Sequence, residues 1–220
     1  MKMLKATFVT STFLISSITQ AATAVYDNFD AGLNGWGANT TQTNVNHSLA
    51  GGNPNGYLAT DNLNNETYFG AIGSVNTGAD YSGVFADGLW TVSVDLNFIR
   101  GDFTDARLRY RYQDAGFNGW YYSLTNSFDN SWTNYSVTFD TTWSDAEAIL
   151  NGWTQEDTSS SFAALWDNAY TSEIRLVGTP NTNLVAGIDN YRASVVPLPA
   201  AVWLFLSGLT GLIAISRKKA

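Results

Sequence analysis

Three arginines at alternate positions, Arg107, Arg109 and Arg111, stand close in sequence to the aromatic run Trp120, Tyr121 and Tyr122. Guanidinium forks bind oxygens and flat aromatic rings lie against sugars, so these residue types in this proximity suit glycan recognition. The other chemistry open to the chain belongs to its 19 carboxylates. They offer a paired acid and base, as glycoside hydrolysis requires, or the hard oxygen ligands that calcium takes. With no cysteine, disulfides, thiolate-held zinc and thiol catalysis are all excluded, and a single histidine argues against a poly-histidine metal site and is slender support for a Ser-His-Asp relay. No carboxylate pair is singled out by spacing: Glu66, Glu147, Glu156 and Glu173 are scattered, and Glu147 reads as part of a solvated helix face. Aspartates in β-rich chains mostly occupy turns and caps. The expectation is a binding or structural protein with no catalytic residues; a glycan-active enzyme is the weaker alternative.

The arginines sit on a strand pattern. From Ala106 to Tyr112, Ala106, Leu108, Tyr110 and Tyr112 share one face and the arginines the other; before them, Val92, Val94, Leu96 and Phe98 alternate with Ser93, Asp95 and Asn97. Residues 100–105 join the two runs at hairpin length, which would pair them and set Asp95 beside the arginines. An aromatic and guanidinium platform made of Arg107, Arg109, Arg111, Trp120 and Tyr122 requires Trp120 and Tyr122 to turn the same way as the arginines. The competing arrangement puts those rings in the core and neutralises the arginines with nearby acids. Further strands are expected at 56–60, 67–72, 120–124, 132–139, 172–177 and 185–194, with short helices at 143–150, capped by Ser144 or Asp145, and at 159–166. His47 reads as an ordinary loop residue. Many short antiparallel strands with one or two peripheral helices indicate an all-β jelly-roll β-sandwich over residues 25–195.

Both tails are basic. Lys2 and Lys5 precede an apolar stretch that ends in Ala22-Thr23-Ala24, the pattern of a signal peptide over 1–24 cleaved by signal peptidase after Ala22 or Ala24. At the other end an apolar transmembrane helix is expected over 200–216, after Pro197 and Pro199 and before Arg217, Lys218 and Lys219, so the domain would lie outside the membrane that this helix enters. The formal charge of −8 therefore conceals a domain carrying −13, six arginines against 19 carboxylates, with no lysine. That balance excludes nucleic acid as a partner, because polyanion binding depends on many phosphate-neutralising cations.

Two resemblances follow. Val196-Pro197-Leu198-Pro199-Ala200-Ala201, then Trp203, a Gly-bearing apolar run and Arg217-Lys218-Lys219, resembles the PEP-CTERM sorting signal of Gram-negative bacteria in its VPLPA variant. The resemblance covers about the last 25 residues. It implies processing by an exosortase and delivery through an inner-membrane intermediate to the cell surface or extracellular matrix; a retained membrane anchor is the alternative. The motifs Asp27-Asn28-Phe29-Asp30, Trp132-Thr133-Asn134-Tyr135 and Gly187-Ile188-Asp189-Asn190-Tyr191 resemble bacterial laminin IV type A-like domains, which are similar to carbohydrate-binding-module jelly rolls. That resemblance implies a structural calcium held by Asp30 and Asp189, and an extracellular polysaccharide as partner.

Overall fold

In the computed structural model, residues 25–41, 43–62, 71–76, 85–112, 119–157, 161–167, 169–180 and 182–196 are described. The expected signal peptide with Ala22 and Ala24, and the sorting signal from Pro197 through Leu198, Pro199, Ala200, Ala201 and Trp203 to Lys219, lie outside the described residues, as do most of the strand expected at 67–72 and Glu66. Among the described residues no helix is long and apolar enough to cross a membrane.

In chain order the elements are β1 (Val25–Asp27), β2 (Trp36–Ala38), β3 (Thr43–Ser48), β4 (Tyr57–Asn62), β5 (Ala71–Asn76), β6 (Leu89–Arg100), β7 (Phe103–Tyr112), β8 (Gly119–Thr125), β9 (Thr133–Asp140), α1 (Asp145–Leu150), β10 (Trp153–Gln155), α2 (Phe162–Asp167), β11 (Ala169–Gly178) and β12 (Val185–Val195). They form two six-stranded sheets, with every pairing antiparallel. Sheet A runs β3-β4-β12-β6-β9, with β1 also on β12; sheet B runs β10-β8-β7-β11-β5-β2. This is a jelly-roll β-sandwich, as the strand pattern predicts.

The alternation decides what is buried. Trp90, Val92, Val94, Leu96 and Phe98 of β6 and Ala106, Leu108 and Tyr110 of β7 all lie in the core. They do so from opposite sides, because the expected hairpin does not form: β6 pairs with β12 and β9, whereas β7 pairs with β11 and β8. Two strands that both present a continuous apolar face can bury it by facing each other across a core as well as by lying side by side, and here the chain crosses between sheets. Gly101 makes the crossing at φ 110°, with a Cβ there only 2.7 Å from Leu184 Cδ2. Asp95 is consequently not the neighbour of the arginines.

Aromatic rings fill much of the space between the sheets: Phe85, Trp90, Tyr110, Phe139, Trp153, Phe162 and Trp166 pack edge-on or tilted, with Phe139 and Trp166 stacked at 4.7 Å. Each fully buried Leu, Ile or Phe contributes about 1.5–3 kcal/mol, so a core of this kind does not depend on disulfides. Hydroxyls also bridge the sheets at one point, where Tyr191 on β12 lies 2.6 Å from Ser172 Oγ on β11 and 3.0 Å from Tyr110 Oη on β7. Burial raises the pKa of both tyrosines, so they remain neutral hydrogen-bonding groups.

Both expected helices form. Ser144 caps α1 through a capping box in which its Oγ accepts from the Glu147 N–H and Glu147 Oε2 accepts from the Ser144 N–H at 2.8 Å. His47 differs from its expected place: it belongs to edge strand β3, with Nε2 2.6 Å from the Phe29 carbonyl. The short strands β1, β2 and β10 have no counterpart in the sequence expectation.

Candidate functional site

The outer face of sheet B gathers the charged residues of the two central strands. Register on β7 and β11 sets Arg109 opposite Glu173, Arg107 opposite Arg175, and Arg111 opposite Thr171. On the other flank Tyr121 of β8 stands opposite Arg109 and Thr154 of β10 opposite Tyr121. Arg109 is the centre of the array at 1% exposure. Its guanidinium meets Glu156 Oε2 at 2.7 Å and Glu173 Oε2 at 2.9 Å, and Asn39 Nδ2 donates to the other oxygen of Glu173 at 2.9 Å. Burial works against the Arg109 charge, but Glu173 and Glu156 together outweigh it and raise the pKa. Arg111 reaches Glu173 at 3.3 Å and donates to Thr171 Oγ1 at 3.2 Å. Arg107 pairs with Asp105 and lies 4.2 Å over the ring of Tyr121.

The arginines therefore share one face, as the alternation predicts, and acids neutralise most of them. The acids are Asp105, Glu156 and Glu173. Trp120 and Tyr122 do not join the arginines. Trp120 is opposite Tyr110 and Tyr122 opposite Leu108, so both rings turn into the core, where Trp120 is fully buried against Phe162. The reason is parity: in a strand whose Tyr121 faces outward, its two neighbours must face inward. Tyr121 is the aromatic residue that belongs to the face. Arg175 was also missed, although the alternation of Glu173 and Arg175 between Ser172, Ile174 and Leu176 carries the signal.

A second constellation lies in sheet A where β12 changes partners, from β4 up to Ile188 to β1 from Tyr191 onward. An irregularity between Asp189 and Arg192, with Asn190 at φ 48°, makes the change. Here Asp30 and Asp189 both anchor the 51–56 loop: Asp189 Oδ2 accepts from the Asn53 N–H at 2.6 Å and Asp30 Oδ1 from the Gly56 N–H at 3.3 Å. Gly52 is required there, since a Cβ would sit 2.2 Å from the Gly56 carbonyl oxygen and 2.8 Å from Asp189 Oδ2. Asp95 adds a third carboxylate, accepting from the side-chain amides of Asn53, Asn134 and Asn190. Burial raises the Asp189 pKa; the Asn53 and Asn190 N–H groups oppose it, and the charges of Asp95 and Asp30 add to it. Hard oxygen donors and carboxylates without an ion pair are the chemistry that calcium favours, though among the described residues no three His, Cys, Asp or Glu side chains converge as a ligand group. On the same sheet Tyr57 and Trp132 form an edge-on pair, 5.4 Å between centroids, packed on Gly187.

No protein-family profile matches the chain, and no curated protein does. Solved structures do. A family 11 carbohydrate-binding module from Clostridium thermocellum, in complex with a β-1,3-1,4-mixed-linked tetrasaccharide, is 16% identical, with a TM-score of 0.51 over 80% of this chain and 96% of that one. A xylan-binding domain from carbohydrate-binding module family 22 gives the same identity, score and coverage. The CBM22-1 and GH10 modules of the Clostridium thermocellum endo-1,4-β-D-xylanase 10B, complexed with xylohexaose, are 12% identical at TM-score 0.51 over 81% of this chain, which spans 29% of that chain. The fold is that of the carbohydrate-binding-module jelly rolls.

Proposed function

We propose that this chain is an exported polysaccharide-binding domain that uses the outer face of sheet B, and that it works at the cell surface or in the extracellular matrix. The observation that carries the reading is Tyr121 set against Arg107 and Arg109, with Arg175 on the next strand of the same face, in a carbohydrate-binding-module fold. Buried ion pairs hold the array still, so a sugar would meet a prearranged surface and little ordering entropy would be lost on binding. Glu156 and Glu173 do not act as an acid and base pair in this reading: both direct an oxygen to Arg109, forming a charge-balanced strut. The sorting motif beginning at Val196 supports export and surface delivery, and a retained membrane anchor is the alternative form of the same binding role. Calcium, if bound, would be held by Asp30 and Asp189, where it would supply positive charge among carboxylates.

Affinity electrophoresis against xylan, mixed-linked glucan and acidic polysaccharides tests the binding. Tyr121→Ala should weaken retardation about tenfold, one stacked ring being worth that much, with Trp132→Ala unchanged. The reverse pattern would move the site to sheet A. For sorting, a reporter fused to residues 190–220 should be trimmed in an exosortase-bearing cell; a full-length reporter held in the membrane there supports the anchor.

A further inference from the structure

Four of the six arginines within residues 25–195 lie on the outer face of sheet B, and three of them are matched. Arg107 has Asp105, Arg109 has Glu156 and Glu173, and Arg111 has Glu173. Arg175 differs. Its Nε is buried with no hydrogen-bond partner, and among the described residues it forms no ion pair. Leaving a charged donor buried and unsatisfied is costly, and the cost is removed only when an acceptor arrives. Across the ladders Arg175 stands opposite Arg107 on one side and Gly73 on the other, and the Glu173 carboxylate on its own strand is engaged by Arg109 and Arg111. Burial lowers its pKa, Glu173 opposes this, and the like charges of Arg109 and Arg107 add to the lowering, so the site as built holds its cation at a disadvantage.

We propose that Arg175, with Arg107 beside it, is a carboxylate-recognition point, so that the polysaccharide taken by this face is an acidic one. A uronic acid carboxylate would seat on Arg175 while a neighbouring sugar ring lies against Tyr121. This rests on the reading that the face binds polysaccharide and adds the substrate class. A guanidinium presents its donors as a planar fork that matches a planar carboxylate, and among the described residues the four guanidinium groups of the face have three carboxylate partners between them, Asp105, Glu156 and Glu173. The excess of acid elsewhere in the domain does not forbid an anionic ligand. Exposed charges farther than about 8 Å are largely screened at physiological ionic strength, while a half-buried contact pair is screened much less.

The test compares polygalacturonate and alginate with the same polymers after reduction of their carboxyl groups, with xylan and mixed-linked glucan as neutral references and dextran sulfate as a non-uronate polyanion. The wild-type protein should bind at least one uronate polymer about tenfold more tightly than its reduced form, the worth of one charge-assisted contact. Arg175→Gln should remove that difference, so that native and reduced polymers bind alike, and Arg175→Lys should fall between, since it keeps the charge without the fork. Equal binding of native and reduced polymers overturns the proposal while polysaccharide binding stands, and this comparison needs no variant. So does dextran sulfate binding as tightly as the uronates. Failure to bind any of these polymers, neutral or acidic, overturns both readings together.

Discussion

Arg109 shows how a buried charge can organise a surface. Its guanidinium is enclosed, and two carboxylates from different elements, Glu156 after β10 and Glu173 on β11, converge on it. A buried ion pair of this kind is weak evidence of net stability, because desolvation consumes much of the attraction, yet removing one partner is expensive. Glu173→Gln should therefore lower stability by about 3–5 kcal/mol, read from denaturant midpoints. Replacing the pair with apolar residues, Arg109→Met with Glu173→Leu, should recover most of that loss while abolishing the shape of the face. A double variant as unstable as the single one would show that the charges contribute more than mutual compensation.

At the scale of elements, Ser144 and Glu147 carry a pH-dependent contribution with a definite sign. Hydrogen bonds from the Ser144 side chain, and then from its backbone, lower the Glu147 pKa. A carboxylate lowered in the folded state stabilises fully above its unfolded pKa, and the stabilisation is lost as pH falls through the folded value. Ser144→Ala should lower Tm by roughly 2–4 °C at neutral pH, and the gap from wild type should shrink below about pH 4. A gap that stays constant down to acid would mean that the capping box is not formed in solution. This helix was legible in the sequence because its cap and its apolar spacing are local. The long strands β6, β7 and β12 were legible for the same reason: alternation is a property of one segment. Neighbours are not. Period two states which residues share a face and is silent on which strand lies alongside, so the hairpin of β6 and β7 and the proximity of Asp95 to the arginines were both misread. For Trp120 and Tyr122 the parity was readable within β8, but their relation to β7 depended on register, which only the folded ladder sets. Strands of three residues such as β1 and β2 are too short for any period.

For the whole molecule, the proposed calcium site joins the first and last strands. Asp30 follows β1, Asp189 lies in β12, and the loop between β3 and β4 is bound to both carboxylates. A ligand that binds only the native state raises apparent stability, by about 2.7 kcal/mol at a hundredfold excess over Kd. Calcium added to EDTA-treated protein should therefore raise Tm by roughly 5–10 °C, and Asp189→Asn should abolish the rise. An unchanged Tm removes the site. The position of β12 has a mechanical consequence as well. It is flanked along its length, by β6 on one side and by β4 and then β1 on the other, and it leads directly to Val196. A tether pulling at Val196 along the strand would load both ladders in shear, with their hydrogen bonds lying across the force, so that the domain would yield only when several give way together. A matrix component held at that end and gripping a polymer through the opposite sheet would thus transmit tension through a strand bonded on both sides.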